Sequence, residues 1–105
     1  MKIYLSGKVT GDPNHRMTFF GAALPLMALG HEVLNPVDGN DGLTDPDAMR
    51  RAVGMLLNAD AVVMLPGWST SWGALIEHEL AQRLGLPVIY DQRETAWKTT
   101  SRCGS

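Results

Sequence analysis

The sequence predicts an α/β fold, a three-layer sandwich built on a small parallel sheet of about four strands with helices on both faces. Three observations predict it. Four short runs rich in branched and aromatic residues, "KIYLSG", "HEVLNP", "DAVVMLP" and "LPVIYD", have the composition of strands. Between them lie segments whose apolar residues recur at helical spacing, and this alternation calls for a parallel sheet with right-handed crossovers. "DAVVMLP", finally, is a continuous apolar run of the kind buried on both faces of such a sheet.

In chain order, "KIYLSG" is a short buried strand closed by Gly7, and the polar loop "GKVTGDPNHR" follows it. "MTFFGAALPLMALG" is a helix that ends at Gly30 and is apolar on nearly all sides. Pro25 within it removes a hydrogen bond to the Gly21 carbonyl and is expected to kink it. The helical wheel sends Phe20, Leu24 and Met27 into the core and leaves Phe19, Ala22 and Leu26 as a second apolar face. Such a face suits a subunit interface, so a homo-oligomer, a dimer or higher, is expected. "HEVLNP" is a strand stopped by Pro36, and "VDGNDGLT" is a loop. Asp45 caps a helix whose first position is Pro46 and whose inner stripe is Met49, Ala52, Val53, Leu56 and Leu57, ending near Asn58. After the third strand, "GWSTS" leads into the helix "SWGALIEHELAQRLG", which Gly85 ends before the fourth strand. Strand order is 2-1-3-4, a flavodoxin/Rossmann-like arrangement over residues 1–91. Residues 92–105 form a polar tail in which only Trp97 offers an anchor.

The bulk composition narrows the class of function. The chain has 105 residues, 45% of them hydrophobic and 19% charged, which fits one globular domain with a modest core. Nine basic and eleven acidic side chains leave a net charge of −2, so there is no broad basic footprint for polymeric nucleic acid, and a small ligand is the better expectation. Cys103 is the only cysteine and can form no internal disulfide, which fits a reducing compartment. No apolar run approaches the length of a membrane span, and "MKIYLSG" lacks the apolar core of a signal peptide. The expectation is a cytoplasmic protein with no membrane partner.

In an open sheet of this order the ligand crevice lies beyond the carboxyl ends of the strands, where the order reverses. Here that joins the loops "SGKVTG" and "PGWSTSWG". The first offers Gly7 and Gly11 with Lys8 and Thr10 between them, suited to backbone N–H groups approaching a phosphate, although an ordinary strand-to-helix loop reads the same way. It matches neither the P-loop nor the dinucleotide-binding glycine pattern. The second offers Ser69, Thr70 and Ser71 at a helix start, where one of them caps the helix and the remaining hydroxyls and N–H groups suit an anion. Trp68 and Trp72 flank it, placed either to stack on a base or to pack in a core or interface.

The helix after this loop carries the chemical candidate. On its wheel Gly73, Ile76, Glu77, Leu80, Ala81 and Leu84 share one side, and His78, Glu79, Gln82 and Arg83 share the other. Glu79 therefore faces water. Glu77 lies within the apolar stripe, where an ionised carboxylate without a partner would take up a proton, so it either escapes to water at the stripe's edge or serves a purpose. His15, His31 and His78 have no metal-ligand spacing and no serine-hydrolase elbow occurs, so neither a metal nor a cofactor is expected. A carboxylate facing a sugar can attack the anomeric carbon and pass the glycosyl group to water or to another acceptor.

"IYLSGKVTG", "GHEVLNP", "ADAVVMLPGW" and "SWGALIEHELAQRLGLPVI" together resemble the nucleoside 2-deoxyribosyltransferase superfamily. The resemblance runs from Lys2 to about Tyr90 and is strongest to a small phage and bacterial branch of unknown function, with relatives among the deoxynucleoside 5′-monophosphate N-glycosidases. It implies that Glu77 is the nucleophile and that Tyr4 positions it. It also implies that Gly7 to Gly11 wrap the sugar and phosphate, and that Ser71, six residues before Glu77, receives a 5′-phosphate. Gly73 keeps the glycine four residues before the nucleophile. The implied substrate is a small-molecule nucleotide or nucleoside, and the implied reaction is hydrolysis or base transfer. One departure stands out: where the family carries an Asp on the middle helix, this chain has Ala52. That opens an alternative, a module that binds or sequesters a nucleotide without cleaving it. Burial is expected to raise the pKa of Glu77 unless Tyr4 and neighbouring N–H groups offset it.

Overall fold

The computed structural model describes residues 1–9, 11–37 and 43–91. Thr10 and the expected tail 92–105, with Trp97 and Cys103, lie outside the described residues. The elements are β1 (Lys2–Ser6), α1 (His15–Ala28), β2 (Glu32–Leu34), α2 (Asp45–Leu57), β3 (Ala61–Met64), a 3-10 turn (Trp68–Thr70), α3 (Trp72–Arg83) and β4 (Val88–Tyr90). The strands are parallel and lie in the order β2-β1-β3-β4. This is the α/β arrangement the sequence predicts.

Residues of β1 alternate between two cores because successive side chains of a strand point to opposite faces. Ile3 and Leu5 meet Phe19, Ala22 and Ala23 of α1 together with Val63 and Leu65. Tyr4 meets Ala52 and Leu56 of α2, Ala74 and Ala81 of α3, and Val62 and Met64. Register follows from the pairing of Tyr4 with Leu34 on one side and Val62 on the other, and of Ser6 with Met64. Every residue of β3 is buried, as its unbroken apolar run requires. Asp60 fixes the start of β3 against β1, its side chain accepting from the Lys2 N–H at 2.8 Å while its own N–H donates to the Lys2 carbonyl at 2.7 Å.

The two faces of α1 are the reverse of the wheel's assignment. Phe19, Ala22 and Ala23 are buried, whereas Phe20, Leu24 and Met27 are exposed. A helix apolar all round has no phase for periodicity to detect. Its phase is set instead by packing: Ala22 and Ala23 let the helix axis approach the sheet closely, and Phe19 fills the space beside them. Full burial of a side chain the size of Phe19 contributes about 1.5–3 kcal/mol. The helix continues through Pro25 and closes at Gly30, where φ is +90° and the His31 N–H donates to the Leu26 carbonyl at 3.1 Å. An apolar face on α1 is thus present, but it consists of Met17, Phe20, Leu24 and Met27.

Two boundaries differ by smaller amounts. Thr44, not Asp45, caps α2, its side chain accepting from the Asp47 N–H at 3.3 Å, so Asp45 begins the helix one residue inside the cap. Leu57 ends the helix and is exposed, while Leu56 carries the burial. On α3 the buried stripe is Ala74, Glu77 and Ala81, and Ile76 and Leu84 are exposed. Small residues again mark the line of closest approach to the sheet, and the larger apolar side chains flank it. No helix among the described residues is long and apolar enough to cross a membrane.

Gly7, just past β1, is held by a close approach. A Cβ added there would lie 3.0 Å from Leu65 Cβ and 3.3 Å from both Leu65 Cδ1 and Phe19 Cζ. Two of these atoms belong to a buried leucine that cannot move without disturbing β3. Gly7→Ala is therefore expected to lower stability by about 1–3 kcal/mol. A thermal melt checks this, and an unchanged midpoint would show that Leu65 and Phe19 can yield.

Candidate active site

Tyr4 and Ser6 stand two residues apart on β1 and so project toward the same layer, the one occupied by α2 and α3. Glu77 projects from α3 into the same space. The Tyr4 hydroxyl donates to Glu77 Oε2 at 2.6 Å, and the Ser6 hydroxyl donates to Glu77 Oε1 at 2.6 Å. Tyr4 and Ser6 are fully buried, whereas Glu77 retains 6% exposure, enough to meet the crevice it lines. Both carboxylate oxygens thus have a hydroxyl partner, and each keeps a further lone pair.

The electrostatics follow from burial. Desolvation pushes the Glu77 carboxyl above the usual carboxylate range, and the hydrogen bonds from Ser6 and Tyr4 oppose that rise without cancelling it. Burial pushes the Tyr4 phenol up as well, reinforced by the charge of Glu77 and the hydrogen bond to it, while Arg51 acts in the opposite direction. Tyr4 is accordingly a protonated donor at any physiological pH.

A crevice of about 280 Å³ opens in front of Glu77. Its size suits one small molecule. Tyr4, Gly7 and Val9 form its β1 side, and Pro36 and Val37 close it after β2. The first turns of α2 contribute Asp45, Ala48, Met49 and Ala52, and the start of α3 contributes Ser71, Gly73 and Ala74. Ser71 caps α3, its Oγ accepting from the Ala74 N–H at 3.4 Å. That role uses an oxygen lone pair and leaves the hydroxyl proton for a ligand. Ser71 and the N-terminal end of α3 thus stand at the wall of the crevice, with Asp45 also in its lining.

Of the residues singled out from sequence, Tyr4, Gly7, Ser71, Gly73 and Glu77 meet at this crevice, and Lys8, Gly11, Trp68 and Ser69 do not line it. Trp68 stacks on His78 with ring centroids 4.4 Å apart, beside Tyr90, so one face of its indole is taken by protein. His78, on the outer face of α3, is half-buried there against Trp68, and its Nε2 lies 2.7 Å from the Tyr90 hydroxyl. Glu79 does face water, where it accepts from Arg83 Nε at 2.9 Å. Trp72 is 84% exposed.

Ser6, bonded to Glu77, and Asp45, in the crevice wall, are site residues that the sequence reading does not identify. The signal for Ser6 is its period-two relation to Tyr4, a hydroxyl in an otherwise apolar strand on the same face. For Asp45 it is the spacing 45, 48, 49, 52, which places it on the same helix face as Ala52. Among the described residues no three His, Cys, Asp or Glu side chains gather as a metal site would require.

A parallel 2-1-3-4 sheet with its crevice at the carboxyl ends defines a fold shared with deoxyribosyltransferases. The solved 2-deoxyribosyltransferase from the psychrotolerant bacterium Bacillus psychrosaccharolyticus is similar to this chain with a TM-score of 0.69 and 19% identity, over 86% of this chain and 71% of that one. At that identity the likeness is one of fold. The chain itself belongs to the DUF4406 family, a domain of unknown function, whose model matches residues 1–90. No curated protein matches it.

Proposed function

We propose that this protein cleaves the N-glycosidic bond of a 2′-deoxyribonucleoside 5′-monophosphate with Glu77 as nucleophile. The observation that carries this reading is the buried Glu77 carboxylate, held on both oxygens at the wall of a crevice sized for one small molecule. The fold it shares with a 2-deoxyribosyltransferase supports the same chemistry.

In the first step a Glu77 oxygen attacks C1′ of the sugar, the C1′–N bond breaks, and the base departs with the electron pair and takes a proton from water. In the second, water attacks C1′, the C1′–O bond to Glu77 breaks, the carboxylate is restored, and the proton lost by the attacking water passes to solvent. Two displacements at one carbon return the original anomeric configuration. A second base in place of water makes the reaction a transfer. Ser71 and the N–H groups opening α3 receive the 5′-phosphate, and Gly7 leaves room for the sugar beside β1. The working form is a homo-oligomer using the exposed Met17, Phe20, Leu24 and Met27 face of α1.

Incubation with a panel of deoxynucleoside monophosphates, followed by chromatography for free base, tests the reading. Release of base that disappears in Glu77→Ala is expected. Release that survives this substitution would remove Glu77 from the chemistry. Supplying a second base separates transfer from hydrolysis by the appearance of a new nucleotide.

A second reading is favoured by Ala52, which lines the crevice without a functional group. On that reading the protein binds a nucleotide and does not cleave it. Tight binding by calorimetry without base release would establish it.

A further inference from the structure

The hydroxyl of Ser6 has no opening to solvent and is aimed at a single target, Glu77 Oε1 at 2.6 Å. A buried polar group in a sheet core is costly unless it is satisfied, and an alanine or valine would fill the space opposite Met64 at no such cost. Tyr4 alone, bound to Oε2, would leave the carboxylate free to turn about its Cγ–Cδ bond. A second donor on the other oxygen, from the same rigid strand, removes that freedom.

We propose that Ser6 is a positioning residue for the reaction assigned to Glu77: Ser6 and Tyr4 each hold one carboxylate oxygen from β1, so that a fixed lone pair faces the crevice. The inference rests on the reading of Glu77 as nucleophile, but the geometry of the clamp is independent of the substrate. Ser6 does not line the crevice and makes no contact with a ligand there, so its influence on turnover passes through Glu77. Among the described residues, Tyr4 of β1 and Asp45 of α2 are the titratable groups that line the crevice with Glu77, and the charge of Arg51 on α2 reaches Tyr4; α2 also carries Asp47 and Arg50, which pair with each other at 3.4 Å, and β1 begins at Lys2, which is exposed. His78 and Glu79 on α3 itself project elsewhere, to Tyr90 and to Arg83. Ser6 and Tyr4 are the hydrogen-bonding partners that favour the ionised form of Glu77.

The test compares the parent with Ser6→Ala and Ser6→Cys in two measurements. The first is an NMR titration of the Glu77 side-chain carbon in the free protein. The second is kcat and KM against pH with the deoxynucleotide that gives most base release. In Ser6→Ala, Glu77 is expected to titrate at higher pH than in the parent, and the acid limb of kcat is expected to move in the same direction. At its plateau kcat falls about tenfold, the scale of one charge-assisted hydrogen bond, while KM stays within about twofold. Ser6→Cys, isosteric with a weaker donor, falls between the two. A purely structural role would lower the melting temperature and leave the titration in place, and that result overturns the proposal. A change confined to KM overturns it as well, since Ser6 would then act on binding. If no deoxynucleotide releases base, the functional reading fails, and the NMR titration by itself upholds or overturns the clamp.

Discussion

Replacing Glu77 by Gln is expected to lower base release by about 10³-fold or more and, at the same time, to make the protein harder to unfold at neutral pH. The loss of activity follows from the loss of the nucleophilic oxygen pair. The gain in stability follows from linkage. Burial holds the native Glu77 pKa above its ordinary value. Between those two values the folded protein binds more protons than the unfolded chain, so stability falls as pH rises through that window and stays low above it. A neutral carboxamide has no such decline. Its oxygen accepts from one of Tyr4 and Ser6, and its NH₂ meets the other hydroxyl as that group turns to accept, so no polar atom of the clamp is orphaned. Glu77→Ala would instead leave two buried hydroxyls without a partner. Thermal melts of the parent and Glu77→Gln from about pH 4 to about pH 8 check the sign. The variant's advantage should grow with pH through the window and vanish at the acid end. Parallel curves would show that the strain on the native state lies elsewhere.

The same carboxylate shows how far sequence carried. The environment of Glu77 is legible because burial on a helix is periodic, and a charged residue near the centre of a wheel's apolar side stands out whatever its neighbours. Sheet order is legible for a similar reason: β3 is apolar without interruption and β1 nearly so, and only the centre of a parallel sheet covers both faces of a strand. On α1 the periodicity is empty, and the decision between Phe19 and Phe20 falls to whichever face brings small residues nearest the sheet. Trp68 is ambiguous for another reason: an aromatic ring at a loop mouth serves a ligand or a neighbour equally well. His78, four residues beyond Ala74 on α3, is the neighbour that occupies it. Ser6 is not legible from sequence, since a strand's short hydroxyl carries no pattern of its own. Its meaning appears only when a third element, α3, places Oε1 within reach.

Ala52→Asp is the substitution expected to increase activity. Ala52 is 8% exposed and lines the crevice on the α2 face that also carries Asp45, Ala48 and Met49, so a carboxyl introduced there would point at bound ligand. A base leaving C1′ carries away an electron pair and departs faster when a proton arrives with it, an assistance worth about 10²–10⁴-fold from a well-placed acid. The Asp that the family resemblance implies on this helix would supply that assistance, and Ala cannot. Ala52→Asp is therefore expected to raise base release by about 10²-fold, with a larger gain for the poorer leaving groups, at a stability cost of about 1–3 kcal/mol for a carboxyl partly removed from water. Ala52→Asn separates proton donation from mere hydrogen bonding: it should keep any gain in binding and lose the gain in rate. The new carboxyl, if ionised, would also repel the charge on Glu77 and push its titration further up, so the improved rate should appear with an acid limb at higher pH. Turnover that arises only in the variant, from a parent that binds nucleotide tightly, would mean that the native crevice is built for capture. Turnover in the parent that the substitution slows would mean that the base departs without a proton from position 52, and would direct attention to Asp45, at the start of the same helix and in the crevice wall, as the source of the proton.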